Sequence, residues 1–132
     1  MLFRSGSNSG TSNADPSSWT NIIGVGCDNG SSNYSIMHND GSGTATTIAL
    51  GANFPANGLS TDLYELALYA PPNGSTVDYR IENFVTGGVA SGTLSANLPA
   101  STQGLNLLGW AETTVVSIVA LDLVSLYIET EF

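Results

Sequence analysis

Lysine is absent from this chain, and its only basic side chains are Arg4 and Arg80. Set against eleven aspartates and glutamates, they leave a net charge of -9. Such a surface repels phosphate backbones and anionic headgroups, which argues against nucleic acid and membrane surfaces as partners. Cysteine occurs once, at Cys27, so no internal disulfide can form and a thiolate zinc site lacks ligands. In its glycine-rich strand Cys27 reads as a small core residue. Histidine also occurs once, at His38, too few for a histidine-rich metal site. No apolar stretch of signal-peptide length opens the chain. The most apolar region, Leu105 to Ile128, is broken by Glu112, Asp122 and several hydroxyl residues, so it does not read as a membrane span. The Asn-x-Ser triplets at Asn29, Asn33 and Asn73 matter only in a eukaryotic secretory setting, which no signal supports.

What is present suffices for one domain. The 132 residues are 42% hydrophobic, enough for a real core and too few for two comfortable domains. Residues 1–18 are Ser, Gly and Asn with almost nothing apolar after Phe3, the composition of a flexible polar arm. The opening Leu-Phe-Arg-Ser matches one reading frame of a common sequencing-adapter tail. Residues 1–5 are therefore expected to be a scar on a fragment that extends further N-terminally.

From Trp19 to Phe132 the pattern is that of a single all-β domain. Apolar residues alternate in "WTNIIGVGCD", "NYSIMHN", "TATTIAL", "TDLYELALYA", "STVDYRIENF", "VASGTLSANL", "LNLLGWAE" and "TVVSIVALDLVSLYIETEF". Asn-Gly, Asp-Gly and Pro-Asn-Gly between them supply the positive-φ positions of tight turns. The spacing predicts an antiparallel β-sandwich of about eight strands with little or no helix. Val77, Tyr79 and Ile81 should face the core, with Asp78, Arg80 and Glu82 outward. The last strand is apolar on both sides: Leu121, Leu123 and Tyr127 on one, Val124, Leu126 and Ile128 on the other. A two-sheet sandwich covers one face of each strand, so the row Val124, Leu126, Ile128 is expected at a subunit interface.

Catalytic equipment is thin. His38-Asn39-Asp40-Gly41 gathers the single histidine with an amide and a carboxylate, but no serine sits in a Gly-x-Ser-x-Gly elbow to serve it. Asp40 alone is a poor ligand set for calcium, so neither a metal nor a cofactor is expected. Asn39-Asp40-Gly41 is ordinary turn chemistry, and His38 can end a core-facing row. Glu129 and Glu131 would lie about 6.5–7 Å apart on a strand, a separation suited to glycoside chemistry. They lie at the fraying C-terminal end, however, and lack the Glu-x-Asp-x-Glu run of the laminarinase type. Aromatic stacking on a sugar ring is the remaining signal, with Trp110 the first choice for a partly exposed platform. The ligand-binding candidates are thus Asn33, His38, Asn39, Asp40 and Trp110, on the turns Asn29–Asn33 and Asn39–Gly43 and the strand near Trp110.

The stretches "IGVGCDNGSSNYSIMHNDGSGTATTIALGANFP", "DLYELALYAPPNGSTVDYRIEN", "TGGVASGTLSANLPA" and "LDLVSLYIETEF", in that order, resemble a module of tailed-bacteriophage virion proteins. Such modules form the C-terminal end of tail-fibre, spike or head-fibre chains. The resemblance spans Ile22 to Phe132 and implies a jelly-roll sandwich akin to the concanavalin-like lectin folds, often trimeric on a stalk. It brings no catalytic residues, and no stalk or anchoring sequence precedes the domain here. Its implication is a non-enzymatic domain on the virion surface, made in the bacterial cytoplasm, a homotrimer that recognises host-surface glycan. A carbohydrate-binding module of a secreted bacterial enzyme, and a purely structural fibre cap or capsid decoration, are the alternatives.

Overall fold

The computed structural model describes the backbone of residues 2–6 and, with side chains, residues 14–56, 62–111 and 121–129. Eight strands form: β1 (Leu2–Gly6), β2 (Ile22–Gly26), β3 (Ser35–Asn39), β4 (Thr46–Ala49), β5 (Tyr64–Tyr69), β6 (Val77–Asn83), β7 (Gly88–Leu94) and β8 (Asn106–Trp110). A single 3-10 turn, Pro16–Ser18, is the only helical element among the described residues. The all-β sandwich is as expected. Five strands in the order β4-β3-β2-β1-β8 face three in the order β5-β6-β7, and every pairing is antiparallel.

Consecutive strands are neighbours within each sheet, and β8 returns over a long connection to pair with β1. The connectivity is therefore two meanders closed by one return, not the paired Greek keys of the jelly roll that the resemblance implies. Short Gly- and Asn-rich loops explain the difference, because a hairpin places each strand beside the one before it. In the β6–β7 hairpin, Gly87 adopts φ 73° and donates to the Asn83 carbonyl at 2.8 Å. The Asn83 side chain, wholly buried, accepts from Val85 N at 2.9 Å and donates to the Asn53 carbonyl at 3.0 Å.

Strand periodicity builds the core. On β6, Val77, Tyr79 and Ile81 are buried, while Asp78 and Arg80 are exposed and Glu82 is half-buried. They meet Ile23, Val25 and Ile36 of the larger sheet, with Tyr34, Phe54 and Leu94 filling the ends. Gly92 faces Tyr79 across β6 and β7, and a Cβ there would stand 2.9 Å from the tyrosine ring. β2 is buried along its whole length because its second face is covered too. Trp19 lies there with Ile22 and Met37, and its ring meets Trp110 edge-on at 5.2 Å.

Two expectations need correction. Of the expected flexible arm over residues 1–18, the described parts, residues 2–6 and 14–18, are not free. Leu2–Gly6 is an inner strand between β2 and β8, Pro16 is buried, and Asp15 Oδ1 accepts from Asn29 N at 2.7 Å. A run of Ser, Gly and Asn hides this because an inner strand needs backbone groups more than side chains. At the other end, residues 121–129 carry no regular secondary structure, so the expected strand over Leu121–Ile128 is not formed in the single chain. The rest of that stretch and Glu131 lie outside the described residues.

Candidate functional site

His38 and Asn39 close β3, and both are buried, at 4% and 0% exposure. His38 shares the inward face with Ile36, as its alternation suggests. Its Nδ1 lies 3.1 Å from the Asn97 carbonyl; a carbonyl only accepts, so Nδ1 carries the proton of that bond. Asn39 Nδ2 donates to the Trp19 carbonyl at 2.8 Å and to the Gly43 carbonyl at 3.3 Å. Asp40 begins the turn. Its Oδ1 accepts from Ser42 N at 2.8 Å and from Ser42 Oγ at 3.0 Å, the geometry of an Asx turn. His38 and Asn39 are therefore buried members of the fold, out of reach of a ligand in solvent, although Asn39 Oδ1 is buried with no hydrogen-bond partner.

One residue that the sequence does not advertise organises this knot. Asn97 lies in the β7–β8 connection at φ 51°, a left-handed conformation that asparagine tolerates better than most residues. Its Oδ1 accepts from Asp40 N at 3.1 Å, and its Nδ2 donates to Thr46 Oγ1 at 3.0 Å and the His38 carbonyl at 3.3 Å. One amide thus ties the long return to the β3–β4 turn, 57 to 59 residues away in sequence. The only sequence signal is an asparagine among loop residues in "SANLPA".

Beside this knot the β5–β6 turn and the 95–105 connection enclose an open groove of about 830 Å³. Ile23 and Val77 line it, along with Asn73, Ser75, Thr76, Ser95, Ser101 and Gln103, and no lining residue is charged or aromatic. Its walls are held by turns. Gly74 N donates to the Pro71 carbonyl at 2.9 Å, and a Cβ on Gly74 would collide with the Pro71 ring at 2.6 Å. Asn73 adopts φ 55°. Gln103 N donates to the Ala100 carbonyl at 2.8 Å. Carboxamide, hydroxyl and backbone groups around a few apolar atoms can bind a neutral, hydroxyl-rich molecule. They offer neither a general acid nor a nucleophile-base pair.

No family model matches the chain, and no curated protein or solved structure does so.

The remaining sequence candidates are dispersed. Trp110 ends β8 at the strand terminus opposite Leu105, which lines the groove, and it packs half-buried on Trp19. Asn33 forms an isolated bridge with Pro55 at the start of β3, the end remote from Asn39. Val124, Leu126 and Ile128 stand exposed, at 78%, 52% and 66%. Among the described residues no group of three or more His, Cys, Asp or Glu is placed to hold a metal ion. Cys27 is half-buried, and burial raises its thiol pKa.

Proposed function

We propose that the chain is a non-catalytic recognition domain of a bacteriophage particle surface that binds neutral carbohydrate in the groove between the β5–β6 turn and the 95–105 connection. The observation that carries it is the lining: amides, hydroxyls and small apolar groups, without a single charge. A net charge of -9 supports neutrality of the ligand, since it disfavours polyanions at a distance. The volume falls within the usual range for small-molecule sites, about 300–1,000 Å³. The virion setting rests on the resemblance of Ile22–Phe132 to fibre and spike modules. With His38 pinned by Asn97 and buried, the chain is assigned no hydrolytic step.

An array of neutral oligosaccharides, read at low and high salt, tests the reading. Expected is weak binding that high salt leaves unchanged and that Asn73→Ala and Gln103→Ala reduce. Trp110→Ala, remote from the groove, should leave affinity intact in whatever fraction folds. Salt-sensitive binding to a polyanion, or binding that the groove variants leave untouched, would overturn it. So would glycan or ester turnover that disappears in His38→Ala.

A further inference from the structure

The two sheets do not match in width, and the mismatch leaves two apolar surfaces open. Five strands face three. Asn97, which follows β7, is bonded to His38 and Thr46, so β7 lies over β3 and β4. That places β5 and its free edge on the side of β1 and β8. Leu68 of β5 pairs with buried Tyr79 and so faces inward, yet it is 40% exposed. Gly109 of β8 is in register through Phe3 with inward-facing Val25, so Leu107, two residues away on the same strand, lies on the inward face too, and it is 44% exposed. A side chain that points into a sandwich and still meets water marks a place where a strand is missing.

The same chain holds a segment suited to that place, and no strand pairs with it among the described residues. Residues 121–129 carry Leu123, Val124, Leu126, Tyr127 and Ile128, all exposed, five large apolar side chains in six positions. Asp122 and Glu129 bracket the run, so both carboxylates can stay at its ends in water. Along β5 and just before it, Leu63, Leu66 and Leu68 offer apolar side chains, and the outer side of β5 is unpaired among the described residues. We infer that residues 121–129 of a second copy of this chain add as a strand to the free edge of β5, completing the smaller sheet over β1 and β8. This is edge addition, in which backbone hydrogen bonds give affinity and alternate side chains give register. A second copy is the occupant because each chain presents both the donor segment and the acceptor edge, and exchange between copies satisfies both at once.

The assembly rests on its own observations and stands or falls separately from the carbohydrate reading. Light scattering of the full chain at micromolar concentration should give a mass of at least two copies. Hydrogen exchange should show amides of β5 and of residues 121–129 protected together. Leu126→Asp and Leu68→Asp, each at an exposed position, should keep the circular dichroism of the parent and give monomers in which both protections are lost. A linkage test adds specificity. In a Cys27→Ser background, mixing Leu68→Cys chains with Leu126→Cys chains should give a disulfide-linked pair, which neither variant forms alone. A monomer overturns the inference, whether its terminal segment exchanges freely or is protected by its own chain. So does an oligomer whose mass survives both aspartate variants.

Discussion

Asn97 and Gly92 show how much of this fold hangs on single side chains, present or absent. Replacing Asn97 by alanine removes the bonds to Asp40, His38 and Thr46 and forces a Cβ-branching-free but non-glycine residue to keep φ 51°. A lost partner for partly buried polar groups costs about 1–3 kcal/mol. Thermal unfolding of Asn97→Ala should therefore fall by several degrees, at roughly 4 °C per kcal/mol for a domain of this size. Asn97→Gly should fall less, because glycine keeps the dihedral at no steric cost. Equal midpoints for Asn97→Ala and the parent would show that the return is held by other contacts. Gly92 works by absence. An alanine methyl would meet the buried Tyr79 ring at 2.9 Å, so Gly92→Ala should destabilise by about 1–3 kcal/mol, the usual cost of overpacking, measured by denaturant midpoint. Neither role can be read from the sequence, since both partners are distant and no local motif announces them.

Elements were more legible than residues. Seven of the strands arise from period-two stretches recognisable in the chain, and β6 shows the expected inward row of Val77, Tyr79 and Ile81. The failures lie at the two ends and share one cause. β1 has little apolar alternation to display, yet it is an inner strand because β2 and β8 each lend it an edge. The run Leu121–Ile128 has abundant apolar residues and no strand, because no edge of its own chain pairs with it among the described residues. Hydrophobic pattern reports a demand for burial, whereas pairing decides whether a strand exists. A chain beginning at Trp19 should accordingly lose stability, since β2 and β8 would both be left with unpaired edges and the Asp15 and Ser17 bonds would go. Its thermal midpoint should drop by about 4–8 °C, roughly the effect of 1–2 kcal/mol. A midpoint within a degree or two of the parent would show that residues 1–18 contribute nothing.

For the whole molecule, alkaline pH is the informative perturbation, because two packed tyrosines share one end of the core. The rings of Tyr34 and Tyr64 meet edge-on at 5.2 Å, and Tyr64 Oη donates to the Pro55 carbonyl at 2.7 Å. Burial pushes the Tyr34 pKa up to about 12, with Cys27 and Asp62 adding to it. Tyr64 is raised for the same first reason, then by Asp62 and Tyr34. The folded state thus holds these protons more tightly than the unfolded chain, where tyrosine titrates near pH 10. Their contribution is complete below about pH 10 and is lost as pH rises toward 12, so stability falls across that window. Thermal midpoints taken across it should decline, with late ionisation of two tyrosines in the tyrosinate absorbance. A flat profile, or all tyrosines ionising together near pH 10 while the chain stays folded, would count against this packing.

The sequence by itself determined the class of the molecule: alternation at period two, turn residues at short intervals and the lack of any amphipathic helical stripe leave an all-β sandwich as the way to bury 42% apolar residues. It also determined the sign of the surface, because eleven carboxylates against two arginines have one outcome in any fold. Tertiary structure alone decided what became of the polar residues. His38 and Asn39 look like site chemistry in one dimension and turn out to be sealed by Asn97 and Trp19, which reach them across 59 and 20 residues. The groove is assembled from turn residues of two separate connections, none of which carries a signal alone. Pattern along a chain records each residue's preference for water or core. Which distant groups satisfy that preference depends on how strands pair, and that is a property of the folded whole.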